Sequence, residues 1–143
     1  MAVLTYSSKK VSVIVAGIIV TGLADGTFVM AERETDSFTK VVGADGEIAR
    51  SASANRSGTI TITLMQTSTS NDLLSALYIA DEATLSSKFP VIITDNNGTT
   101  KVFSDTCWIQ KPANVEFGVD AAGTREWVIQ CASMNLFVGS NDA

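Results

Sequence analysis

Between Thr59 and Gln66 the chain alternates without a break, with Ile60, Ile62 and Leu64 on one side and Thr59, Thr61 and Thr63 on the other. A period of two lays one face of an extended strand on a core and turns the other toward water or a neighbour. β-Branched residues at most of these positions favour the pleated backbone over helix. Such a strand needs antiparallel partners, and short runs rich in Val, Ile and Thr recur along the chain to supply them. These runs are Val13–Val15 and Ile18–Val20 about an Ala16-Gly17 turn, then Thr27–Arg33, Phe38–Val42, Glu47–Ala52, Val91–Thr94, Thr99–Phe103, Thr106–Lys111, Val115–Gly118, Glu126–Cys131 and Met134–Val138. Ala24-Asp25-Gly26, Gly43-Ala44-Asp45-Gly46 and Asp95-Asn96-Asn97-Gly98 mark reversals between them, and Asp120–Thr124 reads as a loop.

One helix interrupts this rhythm. Ser68, Ser70 or Asn71 can cap it, Asp72 suits the positive end of its dipole, and Leu73, Leu74, Leu77 and Tyr78 recur at spacings of three and four. Its end is expected between Ala80 and Thr84. The fold class this predicts is mainly β: two packed antiparallel sheets, as a sandwich or open barrel, with one helix at the side, in a single domain spanning residues 1–143.

Charged residues make up 17% of the chain, below the roughly 25% of an ordinary soluble domain, while hydrophobic residues make up 45%. A domain of 143 residues with so few charges has difficulty covering its own exterior, which points to surface covered by partners. The net charge is −5, and the excess of acids lies wholly after residue 60. No Lys/Arg run is longer than Lys9-Lys10, so the basic footprint of adhesive nucleic-acid binding is missing.

The sequence contains no histidine, which removes the commonest general base and metal ligand. Cys107 and Cys131 both lie in apolar, strand-like segments. A disulfide between neighbouring strands is open to them, and buried free thiols are the favoured reading. They have no Cys-x-x-Cys partner and no metal-ligand spacing. Lys9-Lys10 followed by Val11–Ala24 imitates a signal peptide, but Ser12, Gly17, Thr21 and Gly22 interrupt the apolar run, which is also short of the roughly 20 residues of a membrane span.

Two loops imitate binding motifs. Gly43-Ala44-Asp45-Gly46 lacks the Lys-Ser/Thr of a phosphate loop, and Asp95-Asn96-Asn97-Gly98 lacks the spacing and closing glutamate of a calcium loop. Glu32, Glu34 and Asp36 alternate, as do Asp45 and Glu47, so each set shares a strand face; this describes either a solvated edge or an acidic surface kept free of adhesion. The aromatics Phe117, Phe137, Trp108 and Trp127 fall in strand-like runs and read as core or interface.

In their collinear order, several segments resemble the tail tube proteins of contractile-tailed bacteriophages. They are Ala24–Phe28, Val42–Glu47, Ser57–Leu64, Thr69–Leu77, Cys107–Pro112 and Gly123–Trp127, and the resemblance runs from about Lys10 to Gly139. It implies a phage tail tube-like fold, shared with type VI secretion tube proteins, and a six-membered ring in which each subunit contributes four strands to a common inner barrel. Rings stack into the tube through which DNA reaches the host. The implied partners are further copies of the chain, the tail sheath, baseplate and tail terminator proteins, and DNA that passes without specific binding. No cofactor or membrane segment is implied. The expected place is the tail of the virion, after assembly in the host cytoplasm.

With that resemblance, the lumen-facing acids are expected among Glu32, Glu34, Asp36, Asp45, Glu47 and Glu116. The small, polar stretch holding Ser51, Ser53, Asn55, Arg56 and Ser57 is the candidate for contacts between subunits or rings, set against a plain surface loop. Two other readings stand beside the phage tube. One is the tube subunit of a related injection machine, such as a type VI secretion system or contractile bacteriocin. The other is a monomeric β-sandwich binding module, which would expose an aromatic cluster on one edge. An enzyme is more distant, since no acid, base and nucleophile assemble.

Overall fold

The computed structural model describes residues 3–119 and 123–141. Its centre is β6 (Gly58–Met65), where Ile60, Ile62 and Leu64 are fully buried and the threonines between them are half-buried. β3 (Val29–Arg33) and β9 (Thr124–Cys131) flank it, both antiparallel. The register is in phase: Ile60 stands between Ala31 and Ile129, and Ile62 between Val29 and Trp127, so the apolar sides of three strands form one face. The sheet continues through β8 (Lys101–Lys111), β7 (Phe89–Asp95), β1 (Val11–Val15) and β2 (Ile18–Ile19), in the order β2-β1-β7-β8-β9-β6-β3. β10 (Asn135–Phe137) also pairs with β8.

The chain after β2 links that end of the large sheet to β6 through one isolated bridge. β1 and β2 turn about Ala16 and Gly17, both at positive φ as a tight two-residue hairpin requires. Beyond β2 the chain crosses to the far end of β6, where Leu23 bridges Leu64, Ala24 N–H donates to Thr63 O at 3.0 Å and Met65 N–H donates to Gly22 O at 2.8 Å. Gly22 allows this crossing: its φ is +71°, and a Cβ there would lie 2.5 Å from Ser68 Cβ. This link gathers Val13, Val15, Val91, Ile93, Val102, Cys107, Ile109, Trp127, Ile129 and Met134 into one core with the β6 residues. The open barrel is therefore the form this β fold takes.

α1 (Ser70–Thr84) covers part of the barrel with Leu74 fully buried and Leu77 and Tyr78 packed on the core. Its start is held by side chains on both sides: Ser68 Oγ accepts from Ser70 N–H, while Ser70 Oγ accepts from Thr21 N–H at 2.9 Å. It ends where Leu85 enters the left-handed region and donates its N–H to Asp81 O.

The second antiparallel sheet is small. β4 (Phe38–Val42) and β5 (Ile48–Ala52) form a hairpin in which every residue is exposed. The division between the sheets is eight strands to two.

Two expected strands, Thr99–Phe103 and Thr106–Lys111, are one. Buried positions run Val102, Ser104, Cys107, Ile109, so the inward side shifts by one residue after Ser104. A register irregularity between Phe89 and Val91, around Pro90, absorbs the shift. Val115–Gly118 is not a strand. Val115 and Phe117 are exposed, and the segment has no ladder partner among the described residues. Of the expected loop Asp120–Thr124, residues 120–122 lie outside the described residues, and Thr124 begins β9. Cys107 and Cys131 are direct cross-strand partners with their sulfurs 3.3 Å apart, both free and fully buried. The hydrogen bond with Cys107, and then burial, push the Cys131 thiol well above its ordinary range.

Candidate assembly surfaces

The face of β3, β6 and β9 opposite the core is polar. Glu32 pairs with Thr59, which pairs with Gln130; Thr61 stands between Met30 and Val128; Thr63 pairs with Glu126. Glu34, just past β3, accepts hydrogen bonds from Thr59 Oγ1 at 2.9 Å, from Ser57 Oγ at 3.2 Å and from Gln130 Nε2. These donors, Gln130 foremost, hold the Glu34 carboxyl below the ordinary glutamate range. Apart from Met30 and Val128, this face carries threonine, glutamine and glutamate across three strands, and its cations, Lys111 near Glu116 and Glu126 and Arg125 bonded to the Glu116 carbonyl, lie at its far corner.

This face belongs to a four-strand run with two open sides. β3 ends the sheet order, so its outer edge has no ladder partner among the described residues. At the other side, the pairing of β8 with β7 stops at Phe89 and Cys107, which leaves Trp108–Lys111 paired only toward β9 among the described residues. Unpaired backbone on both flanks of a sheet is a template for another chain.

The six acids expected to act together are divided. Glu32 and Glu34 lie on the polar face, and Glu116 lies at its rim beside Glu126. Asp36 sits at the base of the β4–β5 hairpin. Asp45 and Glu47 form its tip, where Glu47 N–H donates to Asp45 Oδ1 and Gly46 adopts φ +88°. Glu126 also belongs to the polar face, a direction given by its alternation with the buried Trp127.

Of the candidate contact residues, Ser51 belongs to β5, and Ser53, Asn55, Arg56 and Ser57 form the connection to β6. Side chains brace that connection: Ser53 Oγ accepts from Asn55 N–H, and Asn55 Oδ1 accepts from Ser57 N–H and Ser57 Oγ. The hairpin exposes Phe38, Val41, Val42 and Ile48, each more than half accessible. Arg50 stacks over the Phe38 ring at 4.3 Å. Among the described residues no group of His, Cys, Asp and Glu could hold a metal ion, and no helix is long and apolar enough to cross a membrane.

An open β-barrel with a side helix, two unpaired sheet edges and an exposed hairpin defines a class of structural subunit. The sequence profile described as bacteriophage PhiTE tail tube protein matches residues 4–139, and the chain belongs to that family. "Structural protein ORF10" of Pseudomonas phage KPP10 is 34% identical over 145 residues, covering 96% of this chain and 83% of the relative. Two solved structures share the fold. The tube-terminating cap of the anti-feeding prophage aligns with 96% of this chain and 93% of its own, at a TM-score of 0.61 and 9% identity. The sheath/tube terminator of an extracellular contractile injection system, PVC, in the extended state, aligns with 96% and 100%, at 0.60 and 9%. The chain is thus a tail tube-like structural protein of phage type, with the mainly β fold of contractile injection systems.

Proposed function

We propose that the chain is the repeating subunit of a tail tube, in which six copies join edge to edge into a ring and rings stack around a lumen that carries DNA. The observation that carries this reading is the four-strand run β3-β6-β9-β8 with both flanks unpaired. Joining the β3 edge of one copy to the Trp108–Lys111 edge of the next satisfies both sets of backbone groups, and ring closure leaves no edge over. The polar face then lines the lumen. Glu32, Glu34, Glu116 and Glu126 give that wall the sign of DNA, so phosphates are repelled over the roughly 8 Å reach of charges in physiological salt. On this reading the role is structural rather than enzymatic, the single domain acts as one building block, and the remaining partners are sheath, baseplate and terminator proteins of the virion tail.

A cap that ends a tube, the role named for two structures of the same fold, is the second reading; it requires one ring per particle instead of many. Native mass spectrometry of the purified chain tests both. Six subunits of 15.1 kDa and multiples of that ring are expected for a tube. Rings that never stack favour the cap, and a monomer at every concentration overturns ring formation.

A further inference from the structure

Cys107 and Cys131 face each other across the β8–β9 ladder, 24 positions apart in sequence. Ala132 N–H donates to Thr106 O at 3.0 Å, so Thr106 and Ala132 are a hydrogen-bonded pair. By the alternation of an antiparallel ladder, the two cysteines next to them are a non-hydrogen-bonded pair, with Cα atoms about 4.5 Å apart and side chains close together. A disulfide spans Cα separations of roughly 4.4–6.8 Å, so this backbone accepts the bond without moving. The sulfurs already stand 3.3 Å apart. Rotation of two small side chains brings them to the roughly 2.05 Å of a bond.

Both side chains are fully buried, and the edge of the sheet gives the way in. Phe89–Cys107 is the last pair between β7 and β8, and the register is broken beside it, around Pro90. From Trp108 onward β8 is held only by β9 among the described residues. A ladder that ends in an irregularity opens locally more readily than the sheet centre, and a small oxidant then meets the sulfurs while the core stays folded. The two thiols are not equivalent. The hydrogen bond with Cys131 holds the Cys107 thiol below its ordinary range, whereas Cys131 is pushed up, so Cys107 ionises first.

We propose that Cys107 and Cys131 form a redox-sensitive dithiol, which hydrogen peroxide converts into a disulfide stapling β8 to β9. The Cys107 thiolate attacks one peroxide oxygen, the O–O bond breaks, and the departing hydroxide takes up the thiol proton as water. Cys107 is left as a sulfenic acid. The Cys131 sulfur then attacks the Cys107 sulfur, the S–O bond breaks, and the Cys131 proton leaves with the hydroxyl as a second water. Two thiols and one peroxide give one disulfide and two waters; the protein loses two electrons and two protons. The staple sits one residue before the unpaired stretch Trp108–Lys111 and fixes that edge against β9. A reducing cytoplasm keeps the pair open, and oxidising surroundings outside a cell close it. The chemistry is independent of the tube reading, and either can fail while the other stands.

The purified chain, reduced and then freed of reductant, is treated with hydrogen peroxide at neutral pH. Intact mass is expected to fall by two hydrogen atoms, both alkylatable thiols to vanish, and peptide mapping to join Cys107 to Cys131 within one chain. The oxidised chain is expected to melt about 10 °C above the reduced one, because the bond restricts the unfolded chain. Cys131→Ser should stop at the Cys107 sulfenic acid, trapped with dimedone, and gain nothing in melting temperature on oxidation. Thiols that survive peroxide, bonds between separate chains, or an oxidised chain that melts no higher than the reduced one would each overturn the proposal. If Cys131→Ser does not fold, the comparison of oxidised with reduced wild type decides alone.

Discussion

Trp127 donates its indole N–H to Asn71 Oδ1 at 3.0 Å, joining the middle of β9 to the first turn of α1. The ring is 3% accessible, so the bond fixes the helix over a core aromatic that has little water to turn to. Asn71 also donates to Met65 O and Ser68 O, both at 3.0 Å, and so ties the end of β6 to the same point. Replacing Asn71 with Ala leaves a buried donor without its partner, a loss of about 1–3 kcal/mol. Urea unfolding of Asn71→Ala should show that loss as a lower midpoint with an unchanged slope. An unchanged midpoint would mean that the bond contributes nothing.

Glu34 gives the polar face an acid-sensitive member. Its carboxyl is held below the ordinary glutamate value by Gln130, Thr59 and Ser57, so the folded state favours the charged form more than the unfolded state does. The stability linked to this group is fully present above the unfolded value of about 4.3 and is lost as pH falls through the depressed folded value. A series of thermal melts from pH 6 to pH 3 should therefore show a shallower acid decline for Glu34→Gln than for wild type. Parallel declines would contradict the linkage.

The lumen assignment makes a separate claim, about DNA. Glu32 and Glu126 stand on the polar face, without the hydrogen-bonded anchoring of Glu34 among the described residues. Replacing both with Lys should leave tubes intact and slow the passage of DNA. Infectious titre per assembled tail should fall by about tenfold or more, the scale on which charged walls change the local concentration of a charged partner. An unchanged ratio would remove the electrostatic role of this face.

Much of this architecture is legible in the sequence because its signals are local. The alternation of β6, the Ala16-Gly17 reversal and the leucine spacing of α1 each depend on residues a few positions apart, and each appears as expected. Features that depend on distant partners were not legible. Nothing near Leu23 indicates that it will bridge Leu64 and join the β2 end of the sheet to β6. The alternation of Val115 and Phe117 reads as a strand, yet strands need neighbours, and none of the described residues pairs with it. β8 reads as two strands because its inward side shifts after Ser104, a break that pairing with β7 bridges. The candidate site divides in the same way. The outward direction of Glu32 follows from its neighbours, whereas the meeting of Cys107 with Cys131 arises only when β8 and β9 pair.

Negative-stain electron microscopy of the purified chain tests the central claim most directly. The account predicts tubes of stacked rings with a stain-filled lumen and six-fold end views. A field of single globular particles, at concentrations where the protein is folded, would contradict it.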